Sequence, residues 1–96
     1  MRQKIQYINQ GRAGYIIYKD QFFSELKFYY EFGGGDTVAI ISVPSIEKWE
    51  KETKRSLNDR RAILTLIAES VIRDQAPTSI YKISESSIEI LERKPD

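Results

Sequence analysis

The chain has no cysteine and no histidine. The first absence excludes a disulfide framework, a thiolate nucleophile and a thiolate metal site. The second removes the commonest general base and the commonest transition-metal ligand. With neither residue and no recognised catalytic motif, the sequence favours a non-enzymatic protein, and it predicts no cofactor and no metal centre. An excess of one charge is missing too: 15 Lys and Arg face 14 Asp and Glu, for a net charge of +1. A domain dedicated to nucleic acid usually carries a clear basic excess. No apolar run approaches the roughly 18 residues that span a bilayer. The opening MRQKIQYINQ has no apolar signal core, and the closing LERKPD is no lipidation box. These features predict a cytoplasmic protein without a membrane partner.

What is present suits one small domain over residues 1–96, with 92–96 as a frayed tail. Hydrophobic residues are 41% and charged residues 30%, a globular balance. Leu26, Phe28, Tyr30 and Phe32 recur at period two, with Lys27, Tyr29 and Glu31 between them. This pattern predicts a half-buried antiparallel strand. Gly33, Gly34 and Gly35 form the connection and Asp36 closes it. Thr37–Val43 is apolar on both faces, which predicts an interior strand with cover on each side; Pro44 ends it. Two further strands are expected before this hairpin, over Lys4–Ile8 and Tyr15–Lys19, separated by a loop from Asn9 to Gly14. Lys19-Asp20-Gln21 suits a turn, and Phe22 and Phe23 need cover.

After Pro44 the period changes. Ser45 suits an N-cap, and Ile46, Trp49, Thr53 and Leu57 form a narrow stripe on an otherwise charged helix. Ser56-Leu57-Asn58-Asp59 resembles a capping box, with Asn58 as a rival cap. A second helix follows from about Asp59 to Gln75. Its rows Ile63, Ile67, Val71 and Leu64, Ala68, Ile72, widened by Leu66, predict burial against more than one neighbour. Ser79–Ile83 and Ile88–Leu91 then read as a closing hairpin around SESS. Strands grouped apart from helices predict an α+β fold. It is a mainly antiparallel sheet of about six strands, in the order β-β-β-β-α-α-β-β, with both helices on one face.

Five features could carry function. The triple glycine could bring backbone N–H groups to an anion, but phosphate-cradling loops lead into helices and this one joins two strands. A hairpin turn with positive φ at more than one position is the preferred reading. Glu31 and Asp36 flank the glycines and could hold a small ligand or a hard cation; a solvated strand-end acid and a turn Asp are the plainer alternative. Lys48, Lys51, Lys54, Arg55, Arg60 and Arg61 surround Trp49, as a phosphate-binding segment would require. Interleaved acids make a solvated surface with a core tryptophan the favoured reading. Arg73 could clamp an anion, although a helix-end cation explains it as well. Finally, Tyr29 is expected on the outer sheet face beside Lys27 and Glu31, where strand tyrosines would suit a protein partner. The leading expectation is therefore a protein-binding domain, self-associating through a sheet face or edge. The candidate binding residues are Tyr29, Glu31, Gly33, Gly34, Gly35 and Asp36. A small-ligand site or enzyme at the glycine turn is the alternative, and nucleic-acid binding through residues 48–61 a weaker one.

Overall fold

The computed structural model describes residues 4–20 and 25–93. Gln21, Phe22 and Phe23, and residues 94–96 of the expected tail, lie outside them. The elements are β1 (Lys4–Gln10), β2 (Ala13–Lys19), β3 (Leu26–Phe32), β4 (Thr37–Ser42), α1 (Trp49–Thr53), a 3-10 turn (Leu57–Asp59), α2 (Arg60–Gln75), β5 (Ser79–Ile83) and β6 (Ser87–Glu92). All six strands form one antiparallel sheet in the order β1-β2-β3-β4-β6-β5. The chain leaves β4, runs through the helices to the edge strand β5, and returns through β6 beside β4. This is the expected α+β fold, with the helices on one face.

The inner face follows from the alternation in each strand. Ile16 and Tyr18 of β2, Leu26, Phe28 and Tyr30 of β3, Ala39 and Ile41 of β4, and Ile88 and Ile90 of β6 are all buried. They meet Ile63, Leu64, Ile67, Ala68 and Val71 from the broad apolar arc of α2. Arg60 fastens the start of that helix. Its guanidinium donates to the Pro44 carbonyl at 3.1 and 3.3 Å and to the Glu85 carbonyl at 2.7 Å. It thereby joins the end of β4 to the turn between β5 and β6.

Several boundaries differ from the sequence expectation. The loop expected over Asn9–Gly14 is only Gly11-Arg12, because Gly11 supplies φ +76° at the first position of a two-residue hairpin. Asn9, Gln10, Ala13 and Gly14 therefore belong to strands. At the other end Glu92 lies in β6, its N–H donating to the Asp36 carbonyl at 2.9 Å, so it is not frayed. β4 is interior, and Ile40 on its outer face is half-buried.

The first helix departs most. It spans Trp49–Thr53 alone and ends at Lys54 with φ +60°. Ser45 does not cap it; its carbonyl accepts from Lys48 N–H in a preceding turn. Ile46 and Leu57 are exposed, so only Trp49 and Thr53 of the expected stripe are buried. Trp49 Nε1 donates to the Ser56 carbonyl at 3.0 Å. A continuous helix would carry Ser56 roughly 10 Å along the axis, out of reach. Thr53 Oγ1 donates to the Trp49 carbonyl at 2.7 Å and accepts from Arg55 N–H at 3.1 Å, which closes the helix. Ser56, not Asn58, is the cap that follows, accepting from Asn58 N–H at the head of the 3-10 turn.

Candidate functional site

The outer face of the sheet is built by the residues that alternate with the core. Strand register aligns them in rows. Ile8, Tyr15 and Tyr29 form one row across β1, β2 and β3. Ala13, Glu31, Ile40, Glu89 and Lys82 form the next, running out to β5. Tyr29 is 42% exposed, Ile8 39% and Ile80 43%, while Tyr15, Ile17, Ile40 and Leu91 are half-buried. At one end Lys27, Tyr29 and Ser42 of this surface share a concavity with Lys48 and Glu52, so the α1 segment flanks it there.

The tyrosines are held in place. The rings of Tyr15 and Tyr29 meet edge to face, 5.8 Å between centroids at 67°. Lys27 Nζ stands 4.2 Å from the Tyr15 ring centroid, a cation–π contact. Lys27, Tyr29 and Glu31 point outward in succession along β3, so one strand presents a cation, an aromatic and an anion. Tyr29 thus takes the position expected of it, beside Lys27 and Glu31. The part played by Tyr15 was not legible, because the β2–β3 register that sets it opposite Tyr29 depends on a connection through residues 20–25 with no turn signature of fixed length.

The glycine turn is tight. Gly33 N–H donates to the Val38 carbonyl at 3.0 Å and Thr37 N–H to the Gly34 carbonyl at 3.1 Å. The sequence predicts positive φ at more than one of the three glycines; only Gly35 has it, at +62°. Gly33 is required for another reason: a Cβ there would stand 2.6 Å from the Thr37 carbonyl oxygen. With the Gly33 N–H engaged in the hairpin, the turn is not an open row of donors. Glu31 lies on the outer face and Asp36 in the turn, both exposed. Three concavities lie elsewhere, and none is lined by Glu31, the glycines or Asp36. Among the described residues no three of Asp, Glu, His or Cys gather as metal ligands.

The basic segment is divided. Arg55 and Arg60 are buried, Arg55 with Nη1 2.8 Å from Asp20 Oδ2. Lys48, Lys51, Lys54 and Arg61 face solvent. Trp49 is fully buried beneath the Arg60 guanidinium, 6.0 Å from its ring, and is not presented to a base. At the far end of α2, Arg73 Nε donates to Asp74 Oδ1 at 2.9 Å, and Tyr7 Oη donates to Asp74 Oδ2 at 3.0 Å. The Arg73 hydrogen bond, then that of Tyr7, holds the Asp74 carboxyl below its usual range. Burial, then the bond to Asp74, pushes the Tyr7 hydroxyl upward.

Comparison with protein-family models, curated proteins and solved structures finds no match to this chain. No helix among the described residues is long and apolar enough to cross a membrane.

Proposed function

We propose that this protein works by binding protein, and that its partner is a second copy of itself docked through the outer sheet face. The supporting observation is the order Lys27, Tyr29, Glu31 along β3, all exposed on the outer sheet face. This order is self-complementary. A two-fold axis lying in the interface and crossing β3 at Tyr29, perpendicular to the strands, sets Tyr29 against its own copy. The same axis sets each Lys27 against the Glu31 of the second copy. An isologous contact requires such pairing of a surface with itself. The angle of about 30° between packed sheets moves the charged ends only a few ångströms, within reach of two long side chains.

Size agrees with this reading. Six strands about 4.8 Å apart, with five to seven residues rising about 3.3 Å each, make a face of roughly 500–600 Å². Two such faces cover roughly 1,000–1,200 Å², the lower end for a specific complex. The apolar area is sufficient for association but mixed with charge, which suits a reversible dimer with a Kd on the order of micromolar. Sedimentation velocity over about 1 to 300 µM tests it. A monomer–dimer equilibrium is expected; a single monomeric species at every concentration would contradict it.

A further inference from the structure

The inner face holds a separate feature that the dimer does not use. A cavity of about 210 Å³ opens between the sheet and the last turn of α2. Two small residues, Ala39 on β4 and Ala76 after α2, leave space in its walls. Tyr30 forms another wall; a Cβ on Gly14 would stand 2.7 Å from its hydroxyl, so the ring takes the place of a side chain there. The break in register between Thr37 and Ala39 is a bulge that turns Val38 into the wall. Because α2 ends at Gln75, Phe32 at the mouth remains 47% exposed, its ring edge to face with Tyr30 at 5.6 Å.

The lining specifies an occupant. Its walls are mostly aliphatic and aromatic, and its polar groups are the Tyr7 and Tyr30 hydroxyls and the Asn9 and Gln75 amides. Among the described residues no charged side chain lines it, and the Tyr7 hydroxyl already donates to the Asp74 carboxylate. The Tyr30 hydroxyl donates to Asn9 Oδ1 at 3.4 Å, a weak bond that orients the amide with its NH₂ still able to donate. An ion would be desolvated here with no charged group in the wall to pair with, whereas an apolar body with one acceptor oxygen would find both its surfaces matched. We infer that this cavity is a binding site for a small uncharged molecule, apolar over most of its surface and carrying a carbonyl-type oxygen that accepts from Asn9 or Gln75. A dry apolar cavity of about 150 Å³ already accommodates benzene, so about nine non-hydrogen atoms suit this one.

Acetophenone is the probe, with benzoate as the charged control of similar size. Titration followed by ¹H–¹⁵N correlation spectra should shift the Asn9 and Gln75 side-chain amides and the Val38 and Val71 backbone signals saturably. The expected Kd is on the order of 0.1–1 mM. Ala39→Leu fills the cavity and should weaken binding about tenfold or more. Ala76→Leu, at a half-buried position on the opposite wall, gives the same reading should the first variant fold poorly. Asn9→Ala, at an exposed position, should weaken acetophenone a few-fold while leaving the fold intact. Non-saturable shifts, undiminished binding in both filled variants, or benzoate binding as tightly as acetophenone would each overturn the assignment.

Discussion

Arg55 Nη1 and Asp20 Oδ2 stand 2.8 Å apart, with the two side chains only 7% and 9% exposed. The pair joins the end of β2 to the segment after α1, 35 residues further along the chain. Removing one partner takes this pairing from a desolvated charge, whereas removing both does not. Asp20→Ala should therefore cost about 3–5 kcal/mol in urea unfolding, and Asp20→Ala with Arg55→Met distinctly less.

Tyr18 lies beside this pair, with the Arg55 guanidinium 6.0 Å from its ring. Burial, then hydrogen bonding to Asp20, pushes its hydroxyl up to about 12 from an ordinary 10.0. Between those two values the folded chain keeps a proton that the unfolded chain has lost. Stability contributed by the neutral phenol is thus complete below pH 10 and declines as pH rises towards 12. Tyr7, raised in the same direction, adds to the decline. Thermal melts across this window should show a falling Tm, with a shallower fall in Tyr18→Phe.

Trp49 is fully buried and its indole N–H holds the chain back at Ser56. Trp49→Ala should cost about 3–5 kcal/mol by combining a large cavity with a lost hydrogen bond. Trp49→Phe keeps most of the volume but leaves the Ser56 carbonyl without this donor, and should cost about 1–3 kcal/mol. Denaturant titration of the two variants separates packing from hydrogen bonding.

The three consecutive glycines should respond differently to alanine. Gly34 lies outside the positive-φ region, and a Cβ on it would meet no atom within 4 Å. Gly34→Ala should therefore stay within about 0.5 kcal/mol of the parent. Gly35→Ala must adopt φ +62° and should cost about 1–2 kcal/mol. Gly33→Ala meets the Thr37 carbonyl at 2.6 Å and should disturb the hairpin most. Differential scanning calorimetry gives the ranking directly.

The strands were legible because period two survives in β3 even where tyrosines occupy both faces. The broad arc of α2 likewise announced its burial. The first helix was not legible: Ile46, Trp49, Thr53 and Leu57 have helical spacing, but a tryptophan hydrogen bond across seven residues takes precedence over it. Gly33 looked like a conformational requirement and is a steric one, which no single sequence distinguishes. Arg55 and Arg60 read as surface cations until their distant partners, Asp20 and the Pro44 and Glu85 carbonyls, were placed beside them. The inner cavity depends on Ala39 and Ala76 meeting between β4 and the end of α2, and their sequence separation conceals that meeting.

The proposed dimer rests on the order of charges along β3, and exchanging those charges tests it most directly. Sedimentation equilibrium of the parent, Lys27→Glu, Glu31→Lys and the double exchange should give similar dimer affinities for the first and last and weaker ones for the two single variants. Each single reversal places like charges opposite one another across the two-fold axis, while the double exchange restores opposite charges with the order inverted. Loss should be about tenfold or more in Kd for each single variant, with recovery to within a few-fold in the double. A parent that stays monomeric at about 300 µM, or a double exchange no better than the singles, would contradict the account.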